Sequence, residues 1–359
     1  MSRSSVLSIP YADRPRQFDT QIINIGVSSS ALFDTRNSDK IFREKGEKEY
    51  MAYMAARAKV PFKPGAAFPF VKKMISLNRS DDVVVNPTLL SRNNPFAARR
   101  VDASIKAHGL TYEDNGLRQI YGEAYTGGGP ITPEMLKAFG VDLFLSTKID
   151  DVKSALMAGC AAGLVSTIPC ALPKVANDNS ICFVFDFDRV LGIAYGRPDD
   201  EYPYDSERNF RDNGLRAYHM RETALADVPA EPGPLAPFFL KVVNLRDCLS
   251  QRKGTQIEMH IVTARAAGSL MRVITTLDAW RCETKGLISC GSTPKAPQLE
   301  NLKADIFFDD SERHLANLPP GTLGALIPWI EQAPRRPKTR NNAVKGNNLN
   351  PQTLRKVIG

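Results

Sequence analysis

Short apolar runs rich in Ile, Val and Phe alternate along the chain with longer stretches whose apolar residues recur every three or four positions. The first pattern predicts strands at 22–27, 83–90, 143–145, 182–185, 257–262 and 306–308. The second predicts helices at 39–57, 66–77, 97–108, 207–222, 237–250 and 268–280. Strand and helix in alternation imply crossover connections, hence parallel sheets in an α/β fold. Ligands of doubly wound sheets collect at the carboxyl ends of the strands, so the residues just after each apolar run are where chemistry is expected.

Three of those positions are acidic or hydroxylic. The run 182–191, CFVFDFDRVL, delivers Asp186 and Asp188 to the end of a strand, bringing together like charges that call for a cation between them. The run 257–265, IEMHIVTAR, ends at Thr263, whose hydroxyl can hold a phosphoryl oxygen. The run 304–311, ADIFFDDS, ends in Asp309 and Asp310, a second acidic pair able to complete an oxygen cage. Between them, GSTPKAP places Lys295 just ahead of a helix, where it can neutralise charge shared by a nucleophile and a phosphate. The order is that of a phosphotransferase built on a nucleophilic aspartate.

DFDRV, IVTAR, TPK and FFDDS resemble the four motifs of the haloacid-dehalogenase superfamily of phosphohydrolases. VSSSALFD, PGAAFPFVKKM, LLSRNNP, LKAFGVDLFLS, HIVTAR and ADIFFDD resemble, more narrowly, the cytosolic type I 5′-nucleotidases and their bacterial relatives, over residues 20 to 330. The resemblance implies a haloacid-dehalogenase-like parallel sheet with a helical cap, and hydrolysis of nucleoside 5′-monophosphates, commonly AMP, with Mg2+. It also implies the roles. Asp186 is the nucleophile, Asp188 the general acid and base, and Thr263 and Lys295 the holders of the transferring group. The metal falls to Asp186, the main chain of Asp188 and Asp309, with Asp310 behind. Arg265 and Arg189 are candidate substrate contacts, although Arg189 stands where the family often has a small residue. His314 reads as a capping or packing residue. A homo-oligomer is implied as well. The alternatives are a phosphatase of the same superfamily acting on another small phosphate ester, and a nucleotide-binding regulator without turnover.

The first half of the chain resembles the second. At an offset of 168, Val60, Pro61, Pro64, Gly65, Pro69 and Phe70 fall on Val228, Pro229, Pro232, Gly233, Pro237 and Phe238. At 173, Arg92 falls on Arg265; at 163, Asp142 and Phe144 fall on Asp305 and Phe307. The differences lie on the chemical positions. Ser28 and Ser30 stand opposite Asp186 and Asp188, Thr132 opposite Lys295, and Ser146 and Thr147 opposite Asp309 and Asp310. Serines cannot serve as an aspartyl nucleophile, so residues 20–178 are read as a degenerate, non-catalytic half and 179–333 as the catalytic one. A cap insertion is expected at about 192–236, with Tyr202, Tyr204, Phe210 and Tyr218 as candidates for stacking on a base.

Composition changes this picture little. With 359 residues, 43% of them hydrophobic, the chain can bury a large core or two coupled ones. Of the net charge of +8, seven units lie on Arg335, Arg336, Lys338, Arg340, Lys345, Arg355 and Lys356, leaving about +1 elsewhere. The tail 334–359 is therefore expected to be disordered, with contact to nucleic acid or a partner as the minority reading. Residues 1–19 read as an N-terminal extension. No apolar run approaches the roughly 20 residues of a membrane span, and no secretory h-region is evident, so a cytoplasmic protein is expected. The cysteines at 160, 170, 182, 248, 282 and 290 show no C-x-x-C spacing and read as reduced thiols.

Overall fold

A computed structural model describes residues 22–79, 82–111, 119–169, 179–195, 205–252 and 254–330. The N-terminal extension, the basic tail, Cys170, Tyr202 and Tyr204 lie outside the described residues. The first half contributes β1 (Ile23–Ser28), β2 (Val85–Ser91), β3 (Gly122–Tyr125), β4 (Leu143–Ser146) and β5 (Ala161–Val165). The second contributes β6 (Asn179–Phe185), the short β7 (Gly192–Ile193) and β8 (Glu231–Pro232), β9 (Thr255–Thr263), β10 (Gly286–Ser289), β11 (Ile306–Asp309) and β12 (Leu323–Leu326).

Ten of these strands form one sheet in the order β10-β9-β6-β11-β12-β5-β4-β1-β2-β3. Every pairing in it is parallel except β12 with β5, where the two halves meet antiparallel. Each half thus winds outward from its first strand in the same order. β1 is flanked by β2 and β4 as β6 is flanked by β9 and β11. β6 lies between two strands and under helices, which is why its sequence is a continuous apolar run and not an alternating one. Phe185 stacks on Phe308 with ring centroids 4.9 Å apart, and Phe183 meets Phe70 of the first half edge-on at 5.9 Å. One apolar core therefore runs under both halves.

Matching contacts recur between the halves. Gly65 donates its N–H to Leu32 O at 2.9 Å, and Gly233 donates to Leu191 O at 2.7 Å. A Cβ on either glycine would lie 2.6 Å from a backbone oxygen, that of Ala31 or of Val190. Asn24 N–H donates to Asp142 Oδ2 and Cys182 N–H to Asp305 Oδ2, both at 2.7 Å. Each of these aspartates then receives a lysine from the other half, Lys241 to Asp142 at 2.5 Å and Lys73 to Asp305 at 2.8 Å.

All six predicted strands are present, with ends shifted by one to three residues. The single helix expected at 39–57 is two, Arg36–Lys45 and Glu47–Ala56, because Gly46 at φ +85° breaks the turn. β3, β5, β10 and β12 were not predicted. β3 and β10 are half-buried edges lacking an apolar run, and β5 and β12 are short and built largely on Ala, Gly and Leu. Between β7 and β8 lies the helix Ser206–Ala224, interrupted at Gly214 and N-capped by Asp205. Among the described residues no helix is long and apolar enough to cross a membrane.

Candidate active site

Five of the seven acidic and cationic residues picked from the motifs are nearly inaccessible: Asp186, Asp188, Arg265, Lys295 and Asp309 are at most 6% exposed. The strand order explains their meeting. β6, β9 and β11 are adjacent and parallel, so their carboxyl ends place Asp186, Thr263 and Asp309 on one edge. Lys295 stands just before the helix Ala296–Leu302 and aims its ammonium between two carboxylates, 3.0 Å from Asp186 Oδ1 and 2.7 Å from Asp309 Oδ2. Asp309 also accepts from Ser311 N–H at 2.8 Å and faces His314 Nδ1 at 3.0 Å. His314 is thus part of the cluster, a role that its place one helical turn beyond the acidic pair did not show.

Burial dominates the electrostatics. It raises Asp186 to about 6, with Asp309 and Asp188 adding to the rise and Lys295 opposing it. Burial likewise lifts Asp310 to about 8, helped by Asp186 and Asp309. Glu207, on the helix over the site, is lifted to about 7 by burial and by the charges of Asp188 and Asp186. For Lys295 burial works against the charge, yet the two carboxylates outweigh it and raise the ammonium above its ordinary value.

The two carboxylates, not the imidazole, are donors of the kind a hard divalent ion takes. Asp186, Asp309 and His314 bring ligand atoms within 4.8 Å of one another, and the Lys295 ammonium is itself a cation seated between the two aspartates. Asp188 is oriented differently. Both of its oxygens accept from Arg265, Nε to Oδ2 and Nη2 to Oδ1, each at 2.7 Å. Its carboxylate is therefore engaged by Arg265, whereas Lys295 engages Asp186 and Asp309. Thr263 is 1% exposed, and its Oγ1 accepts from Arg265 N–H at 3.2 Å, which leaves the hydroxyl proton to donate.

The two arginines singled out from the motifs are held by protein groups. Arg265 gives its Nη1 donors to Glu222 Oε2 at 2.6 Å and Ser269 O at 3.0 Å. Arg189 pairs with Asp205 at 2.9 Å, lies over the Trp329 ring at 4.4 Å and comes within 4.0 Å of Asp310. Its φ of +61° is rare for a non-glycine residue and is the kind of backbone tension that gathers at functional sites. Tyr218 is buried, with the Arg265 guanidinium 5.9 Å from its ring, whereas Phe210 is 43% exposed. Glu222, Arg272, Asp205 and Glu207 entered this site unannounced. Each is an ordinary charged residue of a polar segment, and no sequence signal separates them from their neighbours.

The 5'-nucleotidase family model matches residues 15–332. The chain belongs to the 5'-nucleotidase family. The motif residues of this 5'-nucleotidase family member, from Asp186 to Asp310, all lie inside the matched span. Among its relatives is human "Cytosolic 5'-nucleotidase 1B", 28% identical over 319 residues, or 86% of this chain and 48% of the relative. The chain spans about half the length of that curated relative.

Proposed function

We propose that this chain is a Mg2+-dependent phosphohydrolase of nucleoside 5′-monophosphates, AMP or a close relative, acting through an aspartyl-phosphate. The observation that carries this reading is the Asp186–Lys295–Asp309 cluster at adjacent strand ends in a member of the 5'-nucleotidase family. A haloacid-dehalogenase-like architecture is part of the proposal. The first half is taken as a degenerate copy of the second, which the common strand order and the paired Gly65 and Gly233 contacts support. The segment between β7 and β8 is taken as the cap, Asp310 as outer support for the metal, and Arg189 as a former of the site wall.

In this mechanism an Asp186 oxygen bonds to phosphorus as the bond from phosphorus to the ribose oxygen breaks. Asp188 gives that oxygen its proton, so the nucleoside leaves neutral. Asp188 then takes a proton from water, the water oxygen bonds to phosphorus, the acyl-phosphate bond breaks, and inorganic phosphate departs with Asp186 restored. Thr263 donates its hydroxyl proton to a phosphoryl oxygen, and Lys295 neutralises the charge spread over the others. A magnesium ion held by Asp186, Asp309 and the main-chain carbonyl of Asp188 would screen the repulsion between nucleophile and phosphate.

Phosphate release from nucleoside 5′- and 3′-monophosphates and sugar phosphates, with magnesium or with EDTA, tests the reading. Magnesium-dependent release chiefly from 5′-monophosphates is expected, falling by about 10³-fold or more in Asp186→Asn. Release chiefly from sugar phosphates would move the assignment to another small ester. Folded protein that releases phosphate from none of them would end the hydrolase reading.

A further inference from the structure

We propose that Glu222 is a positioning residue for the acid–base step: through Arg265 it holds Asp188 in place, so that proton transfer depends on how the cap packs. This rests on the hydrolase reading above. Among the described residues, the hydrogen bonds to the Asp188 carboxylate come from Arg265. Whatever orients Arg265 therefore orients the group that must protonate the leaving ribose oxygen. Arg265 extends from the end of β9, and its guanidinium has two usable edges. The Nε and Nη2 edge faces Asp188; Nη1 faces Glu222 Oε2 at 2.6 Å and Ser269 O at 3.0 Å. A planar fork satisfied on both sides has one rotational setting, whereas a fork held on one side can slide along its partner.

Glu222 is itself fixed. It lies near the end of the helix Ser206–Ala224, is 1% exposed, and accepts from Arg272 Nη1 at 3.1 Å and from the Ser206 hydroxyl at the start of the same helix. Arg272 in turn donates to Tyr195 O at 2.6 Å and Val228 O at 3.0 Å, backbone groups that lie on either side of the helical segment. Asp188, Arg265, Glu222 and Arg272 make a closed set of two carboxylates and two guanidiniums, none more than 6% exposed. In so dry a setting each charge depends on its partner. With the Glu222 charge removed, Arg265 keeps Asp188 but loses the counter-charge that fixes its far edge, and Arg272 loses the carboxylate with which it pairs.

The first half supplies a contrast. Arg92, which aligns with Arg265, directs its fork at Asp151 and not at Ser30, the residue that aligns with Asp188. An arginine at this strand end is therefore not aimed at the second chemical position by its location alone. In the second half, the cap carboxylate accompanies that aim.

The test compares two substrates that share a nucleoside and differ in their need for a proton. A nucleoside 5′-monophosphate leaves as an alkoxide unless Asp188 protonates it. Its analogue with sulfur in place of the bridging 5′-oxygen leaves as a stable thiolate. Measured as kcat/KM, which reports the first chemical step, Glu222→Gln is expected to lower the oxygen ester by about 10- to 100-fold, within the range general acid catalysis supplies. The sulfur ester is expected to change by less than about threefold. Ser206→Ala, which keeps every charge, should show the same split at smaller size and decides the matter should Glu222→Gln not fold by circular dichroism. Equal losses on both esters, or none on either, in a folded variant would overturn the proposal. Wild-type protein inactive on both esters would instead overturn the hydrolase reading.

Discussion

The Lys295 ammonium stands between two buried carboxylates, and its energetics follow from that. The ammonium offsets two carboxylates that are otherwise buried against each other, Asp186 at 7% and Asp309 at 0% side-chain exposure. Lys295→Met should cost about 3–5 kcal/mol in EDTA, the usual penalty for uncovering a buried charge. Magnesium should return part of it if the two aspartates hold the ion. Urea unfolding with EDTA and with magnesium checks both statements, and equal losses under the two conditions would contradict the shared cation site. The lifted carboxylates give a second expectation. Asp310 at about 8, Glu207 at about 7 and Asp186 at about 6 bind protons more tightly folded than at their ordinary values of 3.8, 4.5 and 3.8. Their contribution to stability is therefore full below those ordinary values and is lost as pH rises toward 8. In EDTA the melting temperature should fall between pH 5 and 8.5, and Asp310→Asn should recover about 2–4 °C of it at the upper end. A flat profile for the wild type would show that these acids stay ionised when folded.

At the scale of elements, the turns after β1 and β6 share one construction. Gly65 and Gly233 each press a bare Cα against the backbone that follows the first strand of their half. A methyl group there meets a carbonyl oxygen that cannot move without displacing the strand end, so Gly65→Ala and Gly233→Ala should each cost about 1–3 kcal/mol. Similar losses in denaturant melts are expected. Gly233→Ala should in addition depress turnover, because Leu235 N–H hydrogen-bonds Val190 O two residues beyond Asp188. If Gly65→Ala were neutral, the likeness of the two turns would be superficial. The helix over the site shows where local pattern stops being informative. The spacing over 207–222 announces a helix, but Gly214 at φ +81° divides it, and its two parts serve the site differently: Glu207 feels the charges of Asp188 and Asp186, while Glu222 pairs with Arg265.

For the whole molecule, the seam between halves is held by more than the antiparallel β5–β12 contact. Lys73 and Lys241 each cross to the other half's aspartate, and the helices carrying them pack on a common core. These pairs are partly shielded, so Lys241→Met should lower stability modestly, by about 1 kcal/mol. Because the core is continuous, calorimetry should show one transition and not two. Two resolved transitions would mean that each half keeps its own cooperative core.

The apolar runs and the residues that end them were readable without coordinates. A buried central strand needs several consecutive apolar residues, and Asp186, Thr263 and Asp309 each follow one directly. The matched spacing of the prolines and glycines around Gly65 and Gly233 was readable as well. The edge strands β3 and β10 were not, because an element open to solvent on one side carries no obligatory pattern. Which charges meet was settled only by the tertiary structure. Glu222, Arg265 and Asp188 lie on three elements far apart in sequence, and ion pairs are made by the packing of helix on sheet, which leaves no periodicity to read.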